Sequence, residues 1–172
     1  RSRFGRRVHR SPHTAASTAI GLAIGADPEA AYTVREQLSR GVGVFRERDA
    51  GSFISFDTLL EPNTELAPGE TLTIKRRYRA AHNIGYFRFV EYSSLDDSWV
   101  PRGDLQPYGE VIFPFDHALR RSNVDIASVP VVRTEDGPLI EESYMVDENG
   151  MVSVEITDVE AAYTVTCPLG RK

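Results

Sequence analysis

The sequence predicts a mainly β protein: a two-sheet antiparallel β-sandwich preceded by one N-terminal α-helix. Three observations carry this. In residues 140–157 two runs meet at Asp147-Glu148-Asn149-Gly150, and on the second run Val152, Val154 and Ile156 alternate with Ser153, Glu155 and Thr157. A period of two marks a strand with one buried face. From about residue 41 onward, roughly eight short strand-like runs follow one another, with turn signals every ~8–15 residues, which is the spacing of a sandwich. The only strong helical stretch lies near the N-terminus, where small residues dominate positions 14–26.

The elements follow in order. Residues 1–10 are polar and basic. Ser11-Pro12 signals a helix start, a capping residue before a proline at the first helical position. The helix runs over 14–26, its alanines and glycines suiting close packing, and Asp27-Pro28 stops it. A basic head with Arg6-Arg7 before an apolar stretch is also the layout of an export signal. The stretch is alanine-rich and broken by Gly21, so the reading taken is a fragment of a longer protein whose helix has lost its packing partner. Residues 29–40 form a linker and 41–172 the sandwich. Val42, Val44 and residues 53–56 are β-prone and separated by the charged Arg46-Glu47-Arg48-Asp49-Ala50-Gly51. Residues 71–78 carry Leu72 and Ile74 on one face. Lys75, Arg76, Arg77 and Arg79 make a basic patch, read as a charged strand guarding a sheet edge, with an anion or acidic-peptide site as the other reading. Phe87 and Phe89 share a face in residues 84–91, and Gly85 on that face leaves room or marks a bulge. Residues 96–109 read as a loop in which Trp99 is taken as a lid over the core, with an exposed contact residue as the other reading. Residues 110–115 are a strand, 116–121 a helical turn capped by Asp116, and 129–132 a further strand. Tyr144 and Val146 extend the alternation into the hairpin, whose Asn149-Gly150 tolerates the positive φ of tight turns. A slip of one residue would turn its apolar face to water, so the register is fixed. Residues 163–167 are the last strand.

Composition bounds the function. Hydrophobic content of 41% and charged content of 26% belong to a soluble globular protein. No apolar run approaches the roughly 20 residues of a membrane helix, so no membrane partner is expected. Cys167, the single cysteine, fits a reducing compartment, and the expected localisation is cytoplasmic. With five of its 20 basic residues in the first ten positions, the chain carries 15 basic against 25 acidic groups over the other 162 residues. An acidic body argues against nucleic acid as a partner. His9, His13, His82 and His117 are scattered, none at metal-ligand spacing. Phosphate loops are absent. Asp96-Asp97 and Asp147-Glu148 lie in turns, where acids act as solvated caps. His82 lacks an evident nucleophile or orienting acid and reads as a strand-entry polar residue. No catalytic residue, metal or cofactor is expected, and a binding module is favoured over an enzyme.

Three stretches together resemble the 70-kDa heat-shock chaperones. Phe4-Gly5, Ser11-Pro12 and Ala19-Ile20-Gly21-Leu22-Ala23-Ile24 are similar to the last helix of that family's ATPase domain. Leu59-Leu60-Glu61-Pro62-Asn63-Thr64-Glu65-Leu66 resembles a Leu-Ile-x-x-Asn-Thr-x-(Ile/Leu)-Pro segment. Tyr144-Met145-Val146-Asp147-Glu148-Asn149-Gly150 resembles Phe-Asp-Ile-Asp-Ala-Asn-Gly. The resemblance implies that residues 1–28 end an ATPase domain and that the sandwich holds unfolded or extended polypeptide in a cleft. It implies a role for Val42, Val44 and Phe45 in the first lining strand, Ile74 and Arg77 in the second, and Gly85, Phe87 and Ile140 in the central pocket. It also leaves room for a co-chaperone, and the alanine-rich helix for a homodimer. Almost all of the ATPase domain is missing from these residues, so ATP turnover is not expected of this chain. Residues 31–38 are polar where the family has an acidic, leucine-rich linker. Arg77 replaces a small residue and Gly85 a valine. These departures raise the alternative of a scaffold or partner-docking sandwich that has lost peptide binding.

Overall fold

The structure, a computed structural model, describes residues 12–27, 29, 36–67 and 69–170. The chain divides into two units, Arg1–Arg35 and Glu36–Lys172. In the first, helix α1 spans Ser17–Ala26. It follows Ala16, which supplies no side-chain cap, and ends at Asp27 in an extended conformation, as a residue before proline prefers. The basic head and the cap expected at Ser11 lie outside the described residues.

The second unit holds β1 (Glu36–Gln37), β2 (Gly41–Arg48), β3 (Phe53–Leu60), β4 (Glu65–Leu66), β5 (Leu72–Arg79) and β6 (Ile84–Tyr92). These are followed by β7 (Ser94–Leu95), β8 (Pro101–Arg102), β9 (Gln106–Pro114), a one-turn helix α2 (His117–Arg120), β10 (Leu139–Val146), β11 (Val152–Asp158) and β12 (Tyr163–Pro168). One four-stranded sheet has the order β3-β2-β6-β9 and the other β12-β11-β10-β5. Both are antiparallel throughout. Val44, Phe87, Phe89 and Phe113 of the first meet Ile140, Tyr144, Val154 and Ile156 of the second in one apolar core. The protein is the mainly β sandwich that the alternation predicts. Glu36–Gln37, inside the stretch read as a linker, pair with β4.

The hairpin is β10–β11, closed by the pair Val146↔Val152. Val152, Val154 and Ile156 are buried as expected. The turn is built differently from the two-residue form that Asn149-Gly150 suggested. Gly150 donates to the Asp147 carbonyl at 2.9 Å, and only Gly150 has a positive φ, 73°. Asp147 Oδ1 accepts from the amides of Asn149 and Met151, and the result is a type I turn with a glycine bulge.

Two other expectations are corrected. Residues 129–132 form no strand. Pro130 cannot donate to a ladder, and the segment is instead clipped by Asn83, whose amide donates to the Val132 carbonyl and whose Oδ1 accepts from the Val132 amide. Trp99 is no lid. It sits at the tip of a tight turn with φ 60° and is 60% exposed. The helical turn capped by Asp116 is present, its carboxylate accepting from the Ala118 amide at 2.8 Å.

The inward rows of β10 and β11 each include one acid. Glu142 lies between Ile140 and Tyr144, and Asp158 follows Ile156; both are 0% exposed. A buried carboxylate is tolerated only when paired and fully hydrogen-bonded, and each is answered by an arginine that follows or belongs to the opposite sheet. Arg46 of β2 binds Glu142 through both terminal nitrogens, Nη1–Oε1 at 3.0 Å. The hydroxyls of Tyr78 and Tyr144 donate to the same carboxylate, which fills its roughly four acceptor sites. Arg120 Nη2 reaches Asp158 Oδ2 at 2.6 Å. Arg120 also donates from Nε to the Pro114 carbonyl and from Nη2 to the Phe115 carbonyl, and its guanidinium lies over the Tyr163 ring at 4.4 Å. His117 and the amides of Glu160 and Ala161 complete the shell of Asp158.

Breaking one partner should be far worse than replacing both. Arg46→Met should lower the unfolding free energy by about 3–5 kcal/mol in urea titration, because it strands a buried charge. Adding Glu142→Leu to it should restore most of that loss. A single variant as stable as the parent would show that the pair contributes nothing.

Candidate functional site

The end of β2, the end of β5 and the start of β6 enclose an open cleft of about 500 Å³, within the range of about 300–1,000 Å³ typical of ligand sites. Its apolar floor is Ile84, Gly85, Phe87 and Phe115, with Val131 at the margin. Gly85 is there because no side chain fits: a Cβ would lie 2.6 Å from Phe115 and 2.7 Å from Phe87. The room that Gly85 seemed to leave is thus occupied by two rings, and the bulge in β6 falls at Phe89/Val90 instead.

The walls are polar because the inward row of β2 changes character. Val42 and Val44 are buried, and Arg46 takes the next inward position. Arg46 Nε also donates to Asp57 Oδ2 at 2.7 Å. Arg76 of β5 meets the same carboxylate, Nη2–Oδ1 at 3.0 Å, and the Thr58 carbonyl at 3.1 Å. Asp57 therefore bridges arginines of both sheets. Burial alone would lower the affinity of Arg46 for its proton, but the hydrogen bond and charge of Glu142 outweigh it and drive the pKa up. Burial would raise the pKa of Asp57, and the two guanidinium groups overcome this and hold it below the usual carboxylate value. Burial and then the Glu142 charge push the phenols of Tyr78 and Tyr144 upward, so both stay protonated as donors. At the mouth, Glu47 pairs with Arg133 and lies 3.3 Å from His82 Nε2.

Of the residues singled out from the sequence, Arg77, Gly85 and Phe87 line this cleft. The other five lie elsewhere. Val42, Val44 and Ile140 are buried between the sheets. Ile74 is half-buried against the core. Phe45 points outward, 48% exposed, with its ring 5.1 Å from that of Phe56. The cleft sits at the far end of β2 from the one expected, so Arg46, Glu47 and Arg48 replace Val42, Val44 and Phe45. Sequence reasoning missed Asp57, Glu142 and the acid beside His82. Glu142 carried a signal, since it falls on the inward parity of Ile140 and Tyr144.

The acidic turns are caps, as read. Asp96 accepts from the amides of Ser98 and Val100; the Val100 amide, with Ser98 and Arg102, outweighs desolvation and holds its pKa low. Asp96 and Trp99 border a separate depression of about 360 Å³, apart from His82. Among the described residues no group of three His, Cys, Asp or Glu could hold a metal ion. No helix among them is long and apolar enough to cross a membrane. No protein-family model matches this chain, and no curated protein is significantly similar to it.

Asp57 and Asp158 make the fold acid-sensitive. Burial would raise the Asp158 pKa, but Arg120, the Ala161 amide and His117 lower it. Both folded-state values lie below the unfolded value of about 3.9, so as pH falls the unfolded chain takes up protons first and stability drops. The unfolding free energy should be level in this respect from pH 7 to about 5 and fall below about pH 4. Asp158→Asn should be less stable at neutral pH and show a shallower acid slope in pH-dependent urea titrations. An unchanged slope would mean that the ion pair is not linked to folding.

Proposed function

We propose that the sandwich is a polypeptide-binding module of the kind carried by 70-kDa heat-shock chaperones, working by binding without catalysis. The observation that carries the reading is the open cleft over Phe87 and Gly85, bordered by an edge strand. Among the described residues β5 has a strand neighbour on one side only, β10. An extended segment laid along β5 would gain main-chain hydrogen bonds and set one apolar side chain on the ring floor. Burying one leucine would stabilise the complex by roughly 1.5–3 kcal/mol, so affinity is modest. The lone thiol at Cys167 suits a cytoplasmic setting.

A second reading, a docking sandwich without peptide binding, is favoured by one feature. The rings of Phe87 and Phe115 fill the space over Gly85, and a guest side chain must rest on them instead of entering a deep pocket.

Titration of a fluorescent apolar heptapeptide into the chain, followed by anisotropy, separates the two. The expected result is binding in the micromolar range or tighter. Phe87→Ala should weaken it about tenfold, equivalent to about 1.4 kcal/mol of lost contact. Val131→Asp should also weaken it; because Val131 is 57% exposed, this variant keeps the core intact. An absence of binding across a peptide library would discard the peptide-cleft reading in favour of the docking sandwich.

A further inference from the structure

We infer that the cleft selects extended segments in which two acidic residues flank an apolar one. The inference rests on the peptide-cleft reading and adds the charge pattern of the occupant.

The cleft is lined by Arg46, Arg48, Arg76, Arg77 and Arg79 against two carboxylates, Glu47 and Asp57, on a chain whose net charge is −5. Such a surplus of cations runs against the composition. The arginines divide by what they already hold. Arg46 and Arg76 are consumed by Glu142 and Asp57. Three others keep donors free. Arg48 donates Nε to a neutral partner, Ser55 Oγ, at 2.9 Å. Arg77 is 57% exposed, and its ion pair with Glu141 is a long 4.0 Å; Lys75 Nζ holds that same carboxylate at 3.0 Å. Arg79 donates to the Gly137 carbonyl and to Glu160 and is also largely exposed. Neither lining carboxylate is left to repel an anion, since Asp57 is bound by two guanidinium groups and Glu47 by Arg133 and His82.

The spacing dictates the pattern. β5 alternates strictly, with Arg77 and Arg79 outward and Arg76 and Tyr78 inward. Its unpaired side can take a guest strand, in which residues opposite Arg77 and Arg79 lie two apart, about 6.6 Å along the strand. Cross-strand pairs of opposite charge are favourable, so carboxylates suit those two positions. The guest residue between them faces the same side as Tyr78, which also lines the cleft, and is best apolar.

The test uses the whole chain and three labelled nonapeptides with one apolar centre, flanked by glutamates, by lysines or by serines. At low salt the glutamate peptide should bind about tenfold more tightly than the serine peptide, as expected for two or three exposed ion pairs. The lysine peptide should bind most weakly. The difference should shrink in 0.5 M salt, where the Debye length falls to only a few ångströms. The exposed double variant Arg77→Gln/Arg79→Gln should abolish the glutamate preference while its thermal melt stays close to that of the parent, since exposed ion pairs contribute little. Equal binding of all three peptides, or preference for lysine, would overturn the acidic selection and leave the cleft reading standing. Failure of all three to bind would overturn both. Displacement of the glutamate peptide by an oligothymidylate as effectively as by unlabelled peptide would also overturn it, by showing a general anion site.

Discussion

The structure depends on one buried carboxylate. Glu142 enters the core on the inward row of β10, and its four acceptor sites are filled by Arg46 from one sheet and by Tyr78 and Tyr144 from its own. A buried ion pair is a poor source of stability compared with apolar side chains of equal volume, and the neighbouring rings of Phe89 and Tyr144 supply that stability more cheaply. What the pair imposes is placement. A bidentate guanidinium and two phenols converge on both oxygens in only one relative position of β2, β5 and β10. Sliding either sheet by one residue would replace Arg46 by Phe45 or Glu47 and leave the acid alone, at a cost of several kcal/mol. Asp158 and Arg120 apply the same logic where β11 meets the segment after β9.

The cleft follows from this constraint. A sandwich core ends where its inward rows stop being apolar. On β2 that happens at Arg46, directly after Val42 and Val44. On β5 it happens at Arg76, after Leu72 and Ile74. Long polar side chains paired with one another cannot close the gap as a packed layer of leucines would. The pairing of β2 with β6 stops at Val44↔Phe89, and the space beyond it is lined by Phe87 and Phe115.

The period of two made the hairpin and the burial of Val152, Val154 and Ile156 legible in the sequence. It held because antiparallel strands with one wet face must alternate. The same period placed Glu142 beside Ile140 and Tyr144, and Asp158 after Ile156, on the buried parity. Their partners were not legible, since Arg46 lies 96 positions from Glu142 and pairing across sheets leaves no local mark. Local composition misled where a single residue overrode it. Pro130 broke a valine-rich run, and a left-handed turn at Trp99 turned an aromatic outward. Val42 and Val44 were singled out because they are apolar, and β2 is apolar where it is buried between the sheets, while its other end, Arg46–Arg48, lines the open cleft. Arg77, Gly85 and Phe87, which do line the cleft, stand out from their neighbours in charge or size.

The basic strand was open to two readings, an edge guard or a site for acidic peptide, and the geometry of β5 makes them compatible. Its inward arginine, Arg76, serves the fold, and its outward cations, Lys75, Arg77 and Arg79, face water at an edge with no strand beyond it among the described residues. Charge on such an edge discourages pairing with like strands, including β5 of another copy, by placing cation opposite cation. The same charge lowers the barrier for a strand that brings carboxylates to those positions. An edge protected by hydrophilicity alone would reject every partner alike. An edge protected by one sign of charge rejects its own kind and admits the opposite. Because alternation separates these outward groups from Glu142 and Asp57, the selectivity can change without disturbing the pair on which the sandwich is registered.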